Sequence, residues 1–143
     1  VLFVSQVETH ETIRAFFPPG TKSPSHASGI GKALLADFAD RRLKTVLTRP
    51  RERFTDKTLT DKDALLDDLA VIRRRGYSFD DEEKNEGMRC IAAPIRDAYG
   101  ETIAGISVSG PTSRMGLDRV DRIAAHVMAA AAKVSAALGH KPA

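Results

Sequence analysis

The sequence predicts an α+β fold in which helices pack against an antiparallel sheet. Apolar segments with the period of two that is typical of strands occur both before and after the helical segments. At least two neighbouring pairs of these segments have the spacing of hairpins. A parallel sheet would need a long crossover between its strands, so the antiparallel arrangement fits better.

The N-terminal third is predicted to contain a hairpin followed by two helices. Val1 to Val7 and Thr12 to Phe17 have the pattern of strands, and Pro18-Pro19-Gly20 ends the second because proline lacks a ladder donor. A helical pattern begins at Ala27, and a second short helix is predicted over Asp40 to Leu47.

The rest of the chain is predicted to form a helix, three strands and a long final helix. Thr60 to Asp63 resembles a capping box before a helix that ends at Gly76. The predicted strands are Tyr77 to Asp81, Met88 to Arg96 and Thr102 to Gly110. The final helix, from about Asp118 to Leu138, should bury one apolar stripe, formed by Ile123, Val127, Ala131, Val134 and Leu138.

Composition restricts the class of protein. The chain has 143 residues, 42% hydrophobic and 29% charged, which suits one globular domain and excludes disorder and a membrane span. The single cysteine, Cys90, excludes an internal disulfide, and no secretory signal is present, so we expect a cytoplasmic protein. The net charge of +3 is only modestly basic, and the arginine runs lack interleaved aromatic residues, so this chain itself is not expected to bind nucleic acid.

The last hairpin carries an unusual face. Alternation places Gly105, Ser107 and Ser109 together, and a turn centred on Ala98-Tyr99 or on Tyr99-Gly100 places Cys90 opposite Ser107 or Ser109 respectively. Such small polar residues suit the floor of a polar pocket. Alternatively, the serines face water and the cysteine is a small buried apolar residue.

A second candidate site is the helix start at Ser25 to Lys32, which is rich in small residues. Helix N-termini present unpaired N–H groups and a partial positive charge, so glycine there lets an anion approach the backbone. The spacing is not that of a P-loop. An ordinary serine-capped helix that packs closely on the sheet explains the pattern equally well.

Other chemistry is weakly supported. Asp80 lies on the face opposite Phe79 and could be one buried acid, but the four histidines lack metal-binding spacing and no metal or cofactor is expected. A catalytic pairing of Cys90 with His26 would need an orienting third group that the sequence does not offer, and no resolving cysteine exists for redox chemistry.

Three segments together resemble the C-terminal effector-binding domain of IclR-type bacterial transcriptional regulators: SHASGIGKALLA, GYSFDDEEKNEGMRCIAAPIRDAYGE and IAGISVSGPTSR. The resemblance covers about Val1 to Leu138 and implies a GAF-like α+β domain. It also implies a winged helix-turn-helix DNA-binding domain N-terminal to this chain, whose first residue is not methionine. Residues 1–143 are then one regulatory domain, not an enzyme, that associates as a homodimer or tetramer and reaches DNA only through that other domain.

The resemblance also implies which residues form the effector-binding site. Matching positions are the amides of Gly29 and Ile30, the side chains of Asp80, Cys90, Ser107 and Ser109, and apolar walls from Ile13 and Phe16. The implied effector is a small organic acid, and the small pocket residues favour a short oxo acid such as glyoxylate or pyruvate. An ionised Asp80 would repel such an acid, so it should accept from a ligand hydroxyl, hold a donor or bind a proton. The alternatives are a thiol enzyme that uses Cys90, a sensor of a larger aromatic acid, and a metal site.

Overall fold

The computed structural model describes residues 1–143 and confirms the α+β class. Three strands form an antiparallel sheet in the order β1-β2-β3. The helices are α1 (Gly29–Ala36), α2 (Asp40–Leu47), α3 (Lys62–Arg75) and α4 (Val120–Ala137); the strands are β1 (Ser78–Asp81), β2 (Met88–Arg96) and β3 (Thr102–Pro111). Short 3-10 turns at Ser25–Ala27 and Leu117–Arg119 precede α1 and α4.

Two apolar cores hold the helices in place. The first lies between the sheet and α4 and includes Ile91, Ala93, Ile95, Ala124 and Val127. The second joins α1, α2 and α3 and includes Leu35, Leu43, Leu47, Leu65 and Leu69. Because strand side chains alternate, β2 directs Ile91 and Ala93 to α4 and leaves Cys90 and Ala92 on the face that α1 covers.

Helix boundaries follow local chemistry. The N-cap of α3 is Asp61, whose side chain accepts from the Ala64 N–H at 2.9 Å. The expected cap, Thr60, instead accepts a hydrogen bond from Arg53. Gly76 ends this helix at a φ of 85°, as the sequence predicts.

The buried stripe of α4 differs from the prediction. Val127 and Ala131 are buried, but Val134 and Leu138 are 39% and 45% exposed. The stripe continues instead through Ser135, whose hydroxyl accepts from the Arg96 N–H of β2 at 2.9 Å. A hydrogen bond to the end of β2 therefore takes the place of an apolar contact.

The N-terminal hairpin prediction is wrong. The segment before α1 contains no strand, and its only bridge pairs Leu2 with Lys22. Val4 and Val7 are 81% and 97% exposed, so the alternation of apolar residues there is not matched by a packed surface. The Gln6 side chain binds the Ala15 carbonyl and the Phe17 N–H, and so replaces the ladder that two strands would have formed.

None of the helices is both long and apolar enough to cross a membrane.

Candidate functional site

A cavity lies between the start of α1 and the face of the sheet that α1 covers. Six of the residues that the sequence singles out line it: Gly29, Ile30, Asp80, Cys90, Ser107 and Ser109. Its volume out to the open mouth is about 440 Å³, of which only about 30 Å³ is wide enough for the centre of a water molecule. The space is therefore narrow, with room for a molecule the size of a few waters.

Strand register determines the floor of the cavity. The hairpin turn is centred on Ala98-Tyr99, since the Gly100 N–H donates to the Asp97 carbonyl, and the strand register shifts by one residue between Ile95 and Arg96. This shift places Cys90 opposite Ser109, a pairing that the sequence predicts only for a turn centred on Tyr99-Gly100. The Ser107 and Ser109 hydroxyls both lie beside the thiol.

Glycine at position 29 lets α1 approach this floor closely. A β-carbon on Gly29 would lie 2.6 Å from the Cys90 Sγ and 3.5 Å from the Ala92 Cβ. The Ser78 hydroxyl donates to the Gly29 carbonyl at 2.5 Å, which ties the helix start to β1. Close packing of helix and sheet therefore brings the first residues of α1 into the cavity wall.

The cap of α1 leaves its N-terminus facing the cavity. The Ser28 side chain accepts from the Gly31 N–H at 3.0 Å, and the Ser28 carbonyl accepts from Lys32. The cavity therefore meets a helix end whose dipole favours a negatively charged group.

Asp80 is the acid of the cavity. Its Cα pairs with that of Cys90, and its side chain accepts from the Glu83 N–H at 2.8 Å. Burial raises the pKa of Asp80, although the Glu83 N–H and the Lys32 ammonium group oppose the rise. Its carboxyl group is thus held in a fixed orientation by the turn that follows β1.

The apolar wall comes from residues other than those predicted. Ile13 and Phe16 are 69% and 59% exposed and lie outside the cavity. The wall is formed by Phe3 and Phe17, whose rings stack with centroids 4.8 Å apart. The Gln6 contact to the Phe17 N–H fixes this segment, so Phe17 rather than Phe16 faces inward.

Two basic residues that no sequence pattern predicts as site residues, Lys84 and Arg89, also line the cavity. Arg89 is occupied, since it donates to Asp81 at 2.7 Å and to the Met115 carbonyl at 2.8 Å. Lys84 makes one long contact, 3.5 Å to the Ser23 hydroxyl, and no ion pair. Lys84 is thus a cation available to an anion in the cavity.

The alternatives involving metal or thiol chemistry gain no support from the geometry. No three His, Cys, Asp or Glu side chains are grouped so that they could hold a metal ion. The His26 ring binds the Glu52 carbonyl at 2.8 Å and packs on Phe54, so it does not serve Cys90 as a base. Burial raises the pKa of the Cys90 thiol to about 11, against the opposing effect of the Ser109 and Ser107 hydroxyls.

Cys90 should therefore be slow to alkylate. A thiol of pKa about 11 is ionised to roughly one part in 10⁴ at pH 7, against a few per cent for a free cysteine. We expect iodoacetamide to modify the folded chain at least about 100-fold more slowly than the same chain in urea, followed by mass spectrometry. Equal rates would show an accessible thiolate and would favour thiol chemistry.

A model of one bacterial regulator family, described as "Bacterial transcriptional regulator IclR C-terminal", matches residues 1–136. The chain belongs to the IclR family. Among its relatives, the HTH-type transcriptional regulator BhcR of Paracoccus denitrificans is 62% identical over 136 residues, which cover 94% of this chain and 49% of BhcR. The chain thus spans about half the length of this curated IclR-family relative.

Solved structures of IclR-family proteins share the fold. The Thermotoga maritima IclR structure matches with a TM-score of 0.92 at 28% identity, over 97% of this chain and 57% of that one. The inducer-binding domain of a PobR double mutant from Acinetobacter, in complex with 3-hydroxybenzoic acid, matches with a TM-score of 0.77 at 27% identity, over 82% of this chain and 69% of that one. The curated relatives are named as transcriptional regulators or repressors, not enzymes.

Proposed function

We propose that this domain is the effector-binding part of a DNA-binding transcriptional regulator and that its cavity binds a short organic acid. The observation that carries the proposal is the convergence of two serine hydroxyls, a helix N-terminus and an unpaired lysine on one narrow cavity. Each of these groups donates hydrogen bonds or carries positive charge, and a carboxylate needs such partners when it leaves water.

The arrangement gives each group a role. The carboxylate is bound by Ser107 and Ser109 on the floor and by the first residues of α1. The flexible side chain of Lys84 brings a positive charge towards the same carboxylate. Asp80 faces the second polar group of the ligand, a carbonyl or hydroxyl oxygen, to which it donates when protonated or from which it accepts when ionised. Phe3 and Phe17 exclude water from the apolar side.

Narrowness supports a short acid. The part of the cavity wide enough for a water centre is about 30 Å³, which suits a two- or three-carbon oxo acid such as glyoxylate or pyruvate. The stacked Phe3 and Phe17 rings keep an aromatic acid as the second candidate, since they could part around a ring. The PobR complex supports that second candidate, because its ligand is an aromatic acid.

Coupling to DNA is proposed to pass through the N-terminal segment. Phe3 lines the cavity, and Val1, two residues before it, is held by backbone hydrogen bonds to Ser23, another lining residue. A winged helix-turn-helix domain joined before Val1 would therefore be attached to the cavity wall. Ligand binding can shift such a domain only by favouring one of two arrangements, a coupling typically of ~1 to 3 kcal/mol.

Self-association through this domain is part of the same proposal. The N-terminal segment exposes Leu2, Val4 and Val7 by more than half of their surfaces. Apolar side chains clustered on one segment are typical of contacts between subunits. We therefore propose that homodimers or tetramers form through this surface.

A melting-temperature screen tests the ligand proposal. A compound that binds only the folded chain must raise its melting temperature, so we expect a saturable rise with glyoxylate, pyruvate or a related short acid. Calorimetry should then give an affinity about tenfold or more weaker in Ser107→Ala and Ser109→Ala, because each loses a hydrogen bond to a charged group. Ser113→Ala, at an exposed position, is the matched control.

The same screen separates the alternatives. A rise with aromatic acids alone would favour the second candidate. No rise with any acid, or equal affinity in the two serine variants, would contradict the proposed site.

A further inference from the structure

A buried group of charged side chains lies directly behind Asp80 and does not line the cavity. Lys32, only 1% exposed, places its ammonium group 2.7 Å from an Asp68 oxygen, 2.8 Å from Glu83 Oε2 and 2.8 Å from the Phe79 carbonyl, to which it donates. Glu83 is in turn linked to the cavity, because its backbone N–H donates to Asp80. Asp80 is therefore hydrogen-bonded to the backbone of a second buried acid, and the side chains of the two acids are also within hydrogen-bond distance of each other.

The charges in this group do not balance. The Lys32 ammonium group is paired with two carboxyl groups, those of Asp68 and Glu83, and the Asp80 carboxyl group lies within hydrogen-bond distance of the Glu83 side chain. The Asp68 side chain is 25% exposed and can remain ionised with solvent, whereas Asp80 and Glu83 are buried. Two ionised carboxylates side by side in a protein interior repel each other strongly.

The surrounding charges do not correct this imbalance. On β1 and its turn, Asp81 and Glu82 add negative charge but are paired with Arg89 of β2 and with Lys57. Lys84 points to Ser23 and makes no ion pair, and Cys90 of β2 faces Asp80 as a neutral thiol. No further cation reaches the Asp80 and Glu83 pair.

One oxygen of Glu83 marks a place for a proton. Glu83 Oε2 is buried and makes no hydrogen bond, although it lies 2.8 Å from the Lys32 nitrogen. An ionised carboxylate oxygen without a hydrogen bond is costly in the interior. The Lys32 ammonium group cannot accept from a protonated Glu83, but the Asp80 carboxylate, which is within hydrogen-bond distance of the Glu83 side chain, can.

We propose that Asp80 and Glu83 share one proton and that Glu83 is a positioning residue through which binding of an acid is coupled to proton uptake. The proton removes the repulsion between the Asp80 carboxylate and the arriving anion. This inference rests on the proposed function for its ligand, but the shared proton itself belongs to the ligand-free chain.

The burial of Glu83 determines the pH range in which acid binding is coupled to proton uptake. Burial raises the pKa of Glu83 to about 8, against the opposing charge of Lys32. Below that pH the pair already holds its proton, and above it the pair must take up a proton from solvent when the acid binds. Affinity for a monoanionic acid should therefore fall by about tenfold between pH 7 and pH 9.

The ligand-free arm of the test measures the proton directly. Infrared difference spectra of the full 143-residue chain at pH 7 should contain the carbonyl stretch of a protonated carboxyl group, which disappears as the pH rises through about 8. The band should be absent from Glu83→Gln and present in Glu86→Gln, a control at an exposed position. Absence of the band from the unmodified chain would overturn the inference whether or not any acid binds.

The ligand arm measures proton uptake by calorimetry. Pyruvate and glyoxylate are titrated at pH 8.5 in two buffers with different ionisation enthalpies, and we expect about 0.5 to 1 proton taken up per acid bound. Uptake should vanish in Glu83→Gln and, should that variant not fold, in Asp80→Asn, which neutralises the other member of the pair. Binding without proton uptake would overturn the coupling. A band without binding of any acid would overturn the proposed function together with the coupling, while leaving the shared proton in place.

Discussion

Replacing Lys32 with methionine is expected to lower the free energy of unfolding by about 3 kcal/mol. The side chain is 1% exposed, and its ammonium group is the common partner of Asp68 on α3, Glu83 after β1 and the Phe79 carbonyl. Methionine fills a similar volume but leaves these acceptors without a donor. Removing one partner of a buried ion pair costs more than the pair itself contributes, because the other charge stays buried.

The direction in which stability changes with pH identifies the ion pairs of Lys32 as the cause of the loss. Burial lowers the pKa of Lys32, but the Glu83 and Asp68 carboxylates more than offset it and leave the pKa above its ordinary value of 10.5. The lysine contribution is therefore fully present below that pH and is lost only as the pH rises through the higher pKa of the folded chain.

Urea unfolding at neutral pH measures the stability that Lys32→Met loses. The exposed Lys133→Met is the control, with an expected change within about 0.5 kcal/mol. Adding Glu83→Gln to Lys32→Met should recover part of the stability, because the uncompensated carboxylate is then neutral. A loss below about 1 kcal/mol for Lys32→Met would mean that the buried group is hydrated and does not depend on this lysine.

Local signals explain why the helices and the last three strands could be predicted. The ends of α3 carry an aspartate cap and a left-handed glycine, and the bounds of α2 match the prediction at both ends. These features depend on the nearest few residues of the chain. The N-terminal segment failed because a period of two indicates a strand only where a partner and a packed face exist, and Gln6 and the Leu2 to Lys22 bridge direct the chain elsewhere.

The residues of the candidate site also fall into those that the sequence predicts and those that it does not. Hairpin register and side-chain alternation place Cys90, Ser107 and Ser109 together, and Asp80 follows because β1 pairs with β2. The resemblance of the sequence to the IclR family supplied the rest of the grouping, including the α1 residues. Phe3 and Lys84 were missed, since which loop covers a sheet face is a tertiary property without a local sequence pattern. The partners of Lys32 are separated from it by 36 and 51 positions, which no periodicity relates.

Gly29→Ala is expected to lower the free energy of unfolding by about 2 kcal/mol and to abolish acid binding at millimolar concentrations. The added β-carbon would lie 2.6 Å from the Cys90 sulfur, a distance that cannot be tolerated unless helix and strand move apart. Backbone conformation is not the cause, because Gly29 is not among the glycines with positive φ. The expected effect is thus steric overlap with the Cys90 side chain, mostly with Sγ and to a smaller extent with Cβ at 3.3 Å.

A double-mutant cycle isolates this overlap. Cys90→Ala removes the sulfur, so Gly29→Ala should cost about 1.5 kcal/mol less in the Cys90→Ala background than in the unmodified chain. Ala98→Gly, in an exposed turn, is a control that should leave the cost of Gly29→Ala unchanged. If the two substitutions are additive, α1 does not pack on the thiol. In that case the cavity floor lies farther from the helix start, and one carboxylate could not contact the Ser109 hydroxyl and the Gly29 N–H together.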